Sequence, residues 1–130
     1  MPATATNGRI DPKWSWHHRT LLRLHQKLLL AQAEHEETAI AAAKSRSVDA
    51  AETAQEETDH EVILAELHAE ADRLSEIAAA LHRLQTGVYG ICEETGRPIS
   101  AARLRAIPWT RYSRSAAERH EQLGQAARPR

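Results

Sequence analysis

The 130-residue sequence predicts an all-α protein: a long antiparallel helical hairpin of coiled-coil type, then a compact punctuated segment and a final helix. Three observations carry this reading. The chain is rich in Ala, Leu, Glu, Arg and Gln, the good helix formers, and has three Trp, two Tyr and no Phe. Apolar residues recur at heptad spacing through two long stretches. Its five Gly and five Pro gather at the two ends and between residues 87 and 108, leaving both stretches unbroken.

Residues 1–12 are polar, with Pro2, Gly8 and Pro12, and read as a disordered leader. Asp11-Pro12 is a helix start, with Asp as N-cap and Pro at the first position. From there a hairpin is expected over 13–87. Its first stripe runs 21, 24, 28, 31, 35, 38 and 42, giving Leu, Leu, Leu, Ala, His, Thr and Ala. Ser45, Ser47 and Asp49 then favour caps and turns over helix interior. Asp49-Ala-Ala-Glu52 and Thr53-Ala-Gln-Glu56 both fit a capping box, which puts the hairpin tip near 46–53.

The second stripe, at 60, 63, 67, 70, 74, 77, 81, 84 and 88, is apolar at seven of nine positions, enough to commit to a helix. Two helices of roughly 33 residues, each about 50 Å long at 1.5 Å per residue, can bury these stripes only against each other. His35 and Glu70 interrupt the stripes about equally far from the turn. Either each points sideways to water, or the two form a polar layer that fixes register.

After Val88 the character changes. Gly87, Gly90, Gly96, Pro98 and Pro108 punctuate a compact segment with a short helix at 100–106. Ser115-Ala-Ala-Glu118 is a further capping box and starts a helix of about ten residues. The segment is expected over 88–123, with a frayed tail at 124–130.

Charge excludes some functions. Seventeen Lys and Arg against eighteen Asp and Glu give a net charge of −1, too little positive excess for a general nucleic-acid binder. The distribution is uneven: six carboxylates and no Lys or Arg lie between Asp49 and Glu61, while eight Arg lie between Arg97 and Arg130. Such polarity steers docking on a protein partner. One cysteine forbids an internal disulfide, and no apolar run is long enough to span a membrane. The expected location is cytoplasmic. No HExxH, phosphate loop, nucleophile elbow or Ser/His/Asp set is present, so no catalytic residue is assigned and an enzyme is not expected.

Residues 87–110, GVYGICEETGRPISAARLRAIPWT, carry a more specific pattern. Tyr89-Gly90-x-Cys92-x-x-x-Gly96-x-Pro98-Ile99, with Arg103-Leu104-x-Ala106-x-Pro108, resembles the DksA/TraR family of bacterial transcription regulators. With the hairpin, the resemblance spans roughly 14–120. It implies a four-cysteine zinc knuckle, Cys-x-x-Cys twice, a closed structural site. Here those positions hold Cys92, Thr95, Ser113 and Ala116. Hydroxyls are poor zinc ligands and a methyl is none, so a degenerate, metal-free site is expected, with no cofactor. Ile91, Ile99, Leu104, Ile107, Trp109 and Tyr112 are an apolar cluster able to replace the metal's folding contribution. Thr95 and Ser113 can hydrogen-bond across the site. Glu93 and Glu94 beside Cys92 disfavour its thiolate, which makes a partly buried structural thiol the expectation.

The resemblance also implies a mechanism. Family members bind RNA polymerase directly, without promoter DNA, inserting the hairpin into the secondary channel with acidic tip residues near the active centre. The family tip pattern Asp-x-x-Asp-x-Ala aligns with Asp49, Glu52 and Ala54, Glu replacing the second Asp. Many relatives respond to guanosine tetraphosphate through basic residues. The matching positions, Ile107 and Ala117, are uncharged, so a weak or absent response is expected. Arg103, Arg105, Arg111 and Arg114 are candidates for docking on polymerase. A monomer is expected. The competing reading is a coiled-coil interaction protein or adaptor without polymerase activity.

Overall fold

The computed structural model describes residues 9–48 and 54–127, with side chains described at 9–45 and 54–124. Asp49 and Glu52 of the expected tip lie outside these residues. A 3-10 turn, Pro12–Trp14, leads into α1 (Ser15–Val48), followed by α2 (Ala54–Thr86), α3 (Ala101–Ala106) and α4 (Arg114–Ala127). Among the described residues no strand forms, only an isolated antiparallel bridge between Ile91 and Pro98.

The ends of these elements follow local chemistry. Asp11 caps the first turn, its carboxylate accepting the Lys13 N–H at 3.1 Å. α1 runs through residues 46–48, the first positions of the expected tip, and α2 begins at Ala54. α2 ends where Gly87 takes a left-handed φ of 77° and the Val88 N–H reaches back to the Arg83 carbonyl at 3.0 Å, a Schellman closure. Val88, counted in the second stripe, is therefore beyond the helix and about half exposed. Ser100 caps α3, accepting the Arg103 N–H at 3.2 Å.

The capping box at Ser115 is corrected: α4 starts two residues earlier. Ser113 Oγ accepts the Ala116 N–H at 3.3 Å and Ser113 O accepts the Ala117 N–H at 2.9 Å. α4 also continues through Gly124 to Ala127, longer than expected.

The chain forms two compact units. In the unit spanning 23–75, the hairpin seam is lined by half-buried Leu24, Leu28, Ala31, His35, Ala39 and Ala42 of α1, with His60, Ile63, Leu67 and Glu70 of α2 and buried Leu74. One stripe position moves. Thr38 is exposed, bonding its hydroxyl to the Glu34 carbonyl at 3.0 Å, and Ala39 takes the inward place. A helix with 3.6 residues per turn drifts ahead of a strict 3.5 repeat, so the inward position advances. The polar layer forms: His35 Nδ1 lies 2.7 Å from Glu70 Oε1. The pair is close but not aligned as a hydrogen bond, for His35 Nδ1 has no hydrogen-bond partner among the described residues. Glu70 Oε2 and His60 Nδ1 are buried with no hydrogen-bond partner among the described residues.

The other unit combines the chain up to Leu22 with residues from Glu76 onward. Its core is Leu21, Ile77, Ala80, Leu84, Tyr89, Cys92, Ile99, Leu104 and Ala116. Full burial of Leu21, Ile77 and Leu104 stabilises by about 1.5–3 kcal/mol each. Trp14 packs edge-on against Tyr89, with centroids 4.9 Å apart, and against His17 at 5.1 Å. It also lies on Gly90, where a Cβ would come 2.9 Å from the indole and φ is +85°. Gly90 is thus needed twice, for its backbone and for the close approach.

Candidate functional site

The segment after α2 is built as a knuckle. The Cys92 N–H bonds the Arg97 carbonyl at 2.8 Å, the Gly96 N–H bonds the Cys92 carbonyl at 2.9 Å, and the Ile99 N–H bonds the Gly90 carbonyl at 2.7 Å. Gly96 has φ +71° with open space where a Cβ would stand, so only its backbone demands glycine. Thr95 Oγ1 accepts the Arg97 N–H at 3.2 Å. The chain then passes through α3 and a loop, 107–113, into α4.

Thr95 and Ser113, two other expected ligand positions, act on the Cys92 thiol. The Cys92 side chain is 1% exposed. Burial pushes its thiol pKa up, but hydrogen bonds from the Thr95 hydroxyl, the Ser113 amide, the Thr95 amide and the Ser113 hydroxyl outweigh it, leaving the thiol at about 6. The direction is opposite to the one that the neighbouring Glu93 and Glu94 suggest. Ala116, the fourth position, is fully buried, one turn into α4.

This donor set does not fit zinc. One thiolate, two neutral hydroxyls and a methyl cannot supply the four-ligand shell of a closed structural site. Among the described residues no group of three or more His, Cys, Asp or Glu is placed to hold a metal. His120, the one nearby imidazole in sequence, stacks on Tyr112 with centroids 4.3 Å apart and points Nε2 toward Glu94 Oε2 at 3.7 Å. Of the apolar cluster expected in the metal's place, Ile99 and Leu104 are buried and Ile107, Trp109 and Tyr112 half-buried. Ile91 is 39% exposed and drops out, because it sits on the outer face of its bridge to Pro98.

The arginines divide into two kinds. Arg103 donates Nε to the Tyr112 carbonyl at 2.8 Å, and Arg111 donates to Glu76 at 2.7 Å and Glu93 at 3.1 Å. Glu76, then Glu93, raise the Arg111 pKa against the effect of burial. Arg105 lies over the Trp16 ring at 5.0 Å, and Arg114 is exposed, paired loosely with Glu118 at 3.3 Å. Arg103 and Arg111 are engaged in the fold, while Arg105 and Arg114 face outward.

Sequence reasoning missed Arg83. It is 7% exposed and donates Nη2 to the carbonyls of Trp109 and Thr110, both at 3.2 Å. The Tyr89 hydroxyl was missed too; it donates to the Pro108 carbonyl at 2.8 Å.

At the other end of the hairpin, Ala54 is the first residue of α2, and its carbonyl accepts the Thr58 hydroxyl at 3.0 Å. Glu56 and Glu57 occupy the first turn, where carboxylates complement the helix dipole.

Comparison with known proteins agrees with this geometry. A family model for the prokaryotic dksA/traR C4-type zinc finger matches residues 87–122. The RNA polymerase-binding transcription factor DksA of Caulobacter vibrioides (strain NA1000 / CB15N) is 45% identical over 73 residues, covering 56% of this chain and 51% of that protein. General stress protein 16O of Bacillus subtilis (strain 168) is 44% identical over 46 residues, 34% of this chain and 28% of that protein. The chain thus spans about half the length, or less, of these curated relatives. The solved structure of transcription factor DksA2 from Pseudomonas aeruginosa superposes with a TM-score of 0.72 at 26% identity, covering 95% of this chain and 91% of that one. Residues 87–122 are thus similar to a dksA/traR C4-type zinc finger, with one cysteine where such a finger has four.

Proposed function

We propose that this chain is a transcription regulator, not an enzyme, that binds RNA polymerase directly. The observation that carries the reading is the 45% identity to an RNA polymerase-binding transcription factor, supported by the structural likeness to a second transcription factor. The finer proposal is entry into the secondary channel with Asp49, Glu52 and Ala54 near the active centre. Small residues at 50, 51 and 54 permit a close approach, and carboxylates there act on hard cations and basic loops of the polymerase. No promoter DNA is bound, and the chain acts as a cytoplasmic monomer. Arg105 and Arg114 are the outward arginines best placed to dock. Response to guanosine tetraphosphate is weak or absent, because Ile107 and Ala117 offer no charge. The finger works without zinc, its Cys92, Thr95 and Ser113 hydrogen-bonded together instead.

Competition for core polymerase against another secondary-channel factor tests the binding mode. Mutual exclusion is expected, and simultaneous binding would sink it. Asp49→Asn tests the tip separately, since it keeps a capping side chain and removes the charge. Regulation equal to wild type would refute the electrostatic role of that residue.

A second reading has its own observation. Leu29, Leu30, Ile40, Val62 and Leu64 of the hairpin unit are large, apolar and exposed. They suit a coiled-coil adaptor that bundles with another helical protein. Light scattering showing a stable self-bundle, with no polymerase retained in a pulldown, would favour it.

A further inference from the structure

A four-thiolate knuckle is closed by its metal, which ties the loop carrying the second ligand pair to the turn carrying the first. Here that loop is 107–113, and every one of its carbonyls is engaged. Ile107 O accepts the Thr110 N–H at 3.1 Å, and Pro108 O accepts the Tyr89 hydroxyl at 2.8 Å. Trp109 O and Thr110 O both accept Arg83 Nη2 at 3.2 Å. Arg111 O accepts the Glu93 N–H at 2.9 Å. Tyr112 O accepts Arg103 Nε at 2.8 Å and Thr110 Oγ1 at 2.9 Å. Ser113 O accepts the Ala117 N–H at 2.9 Å. A loop held along its whole length in this way has no orphan acceptors to draw it toward water.

The donors come from every element around the loop: Arg83 from α2, Tyr89 from the segment after α2, Glu93 from the knuckle turn and Arg103 from α3. Arg83 and Tyr89 are the two buried side chains among them, 7% and 4% exposed. A guanidinium donates in a fixed fork and to carbonyls more strongly than a neutral group does. Arg111 closes the outside, bridging Glu76 of α2 to Glu93 of the knuckle at 2.7 and 3.1 Å.

We infer that the finger is closed by a cage of side-chain donors around loop 107–113, with Arg83 as its central positioning residue and Tyr89 and Arg103 as its flanks. The cage sets where Ser113 stands, and with it the start of α4 and two of the donors on Cys92. The inference rests on the metal-free reading of the finger, but its predictions separate from that reading.

Cys92 provides a built-in probe, being the chain's one thiol and 1% exposed. The full-length protein is labelled with an aromatic disulfide reagent under native conditions, and the rate of thiol release is followed. In wild type, a chelator or added zinc should leave the slow rate unchanged. Arg83→Met should raise the rate by about tenfold or more, the loss expected from hydrogen bonds to a charged donor. Arg83→Lys should fall between. Tyr89→Phe, which removes a single hydroxyl from the cage and keeps the ring, should raise the rate by a smaller factor. Circular dichroism should show the helices retained. If Arg83→Met does not fold, Tyr89→Phe decides. Wild-type labelling rates in the folded variants overturn the cage. A chelator that speeds labelling of wild type overturns the metal-free reading instead, whatever the variants do.

Discussion

The two units of this chain are held together by different physics. Of the ten buried apolar residues described, only Leu74 belongs to the hairpin unit at 23–75; the other nine belong to the unit containing the finger. Two helices alone make a single seam, and a seam lined with Ala31, Ala39 and Ala42 cannot exclude water as a multi-element core does. The finger unit packs α1, α2, α3 and α4 around Leu21, Ile77 and Leu104, and adds a dense set of side-chain-to-backbone bonds. The lesson is that regular periodicity and deep stability are separate properties. The most regular region is the thinnest.

The strongest way to sharpen this contrast is to return the finger to metal chemistry. If the knuckle has kept its geometry, replacing Thr95, Ser113 and Ala116 together with Cys should create a site that binds one zinc per chain. Its unfolding should then become chelator-sensitive, with a metal contribution of about 10 kcal/mol or more at neutral pH. Elemental analysis and thermal melts with and without chelator check this. A triple variant that folds and takes up no zinc breaks the claim that the shape is conserved.

The next effect compares the cores directly. Ile77→Ala removes a fully buried side chain and should cost about 2–5 kcal/mol. Leu28→Ala, at a half-buried seam position, should cost well under half of that, because water already reaches the site. Chemical denaturation of the two variants measures the difference. Equal losses would mean that the hairpin carries as much packing as the finger unit.

The same contrast explains what the sequence made legible. Heptad spacing located α1 and α2 because a repeated pattern over thirty residues can be counted. It misplaced Thr38 for Ala39 only because helical drift accumulates over several turns. The knuckle was legible from its punctuation: Gly87, Gly90 and Gly96 all take positive φ, and Pro98 sits in the bridge. What stayed hidden was long-range. Arg83 is 26 and 27 residues from the carbonyls it binds, and Tyr89 is 19 from its own. No local pattern marks an arginine that will be buried. Ser113 was read as a vacated ligand position, and its second role, capping α4, depended on where the preceding loop ends.

Acidification offers a smaller perturbation confined to the finger unit. A thiol held at about 6 when folded, against an ordinary 9.0, binds fewer protons folded than unfolded. It therefore stabilises above pH 9.0, and that contribution, up to about 4 kcal/mol, is lost as the pH falls through about 6. His17 acts in the same sense at lower pH. Burial, then Arg105, lowers its pKa from 6.5, so protonation disfavours the fold as the pH drops below that value. Stability should fall from alkaline to mildly acidic pH, and Cys92→Ala should flatten the slope above pH 6 whatever its absolute stability. An unchanged slope in that variant would mean that the sulfur is not held as a thiolate.

The smallest expected effect concerns the polar layer of the hairpin. His35 and Glu70 meet at 2.7 Å with side chains 40% and 16% exposed, so solvent screens part of their attraction. A double-mutant cycle with His35→Leu and Glu70→Leu should give a coupling of about 0.2–1 kcal/mol. Glu70→Leu alone should be tolerated, because it also removes the buried and unpartnered Oε2. His35→Leu alone should be the worse single change, leaving a largely buried carboxylate without its nearest polar neighbour. The double variant should be at least as stable as wild type, since two leucines fit a seam that is otherwise apolar at this level. If the layer instead fixes register, that stable double variant should show broader distances between spin labels placed across the hairpin, at positions 29 and 75. Unchanged distances with a gain in stability would reduce the layer to a tolerated polar pair. Broadened distances would show that a thin seam, with little packing to choose one alignment over another, relies on a weak polar contact to choose it.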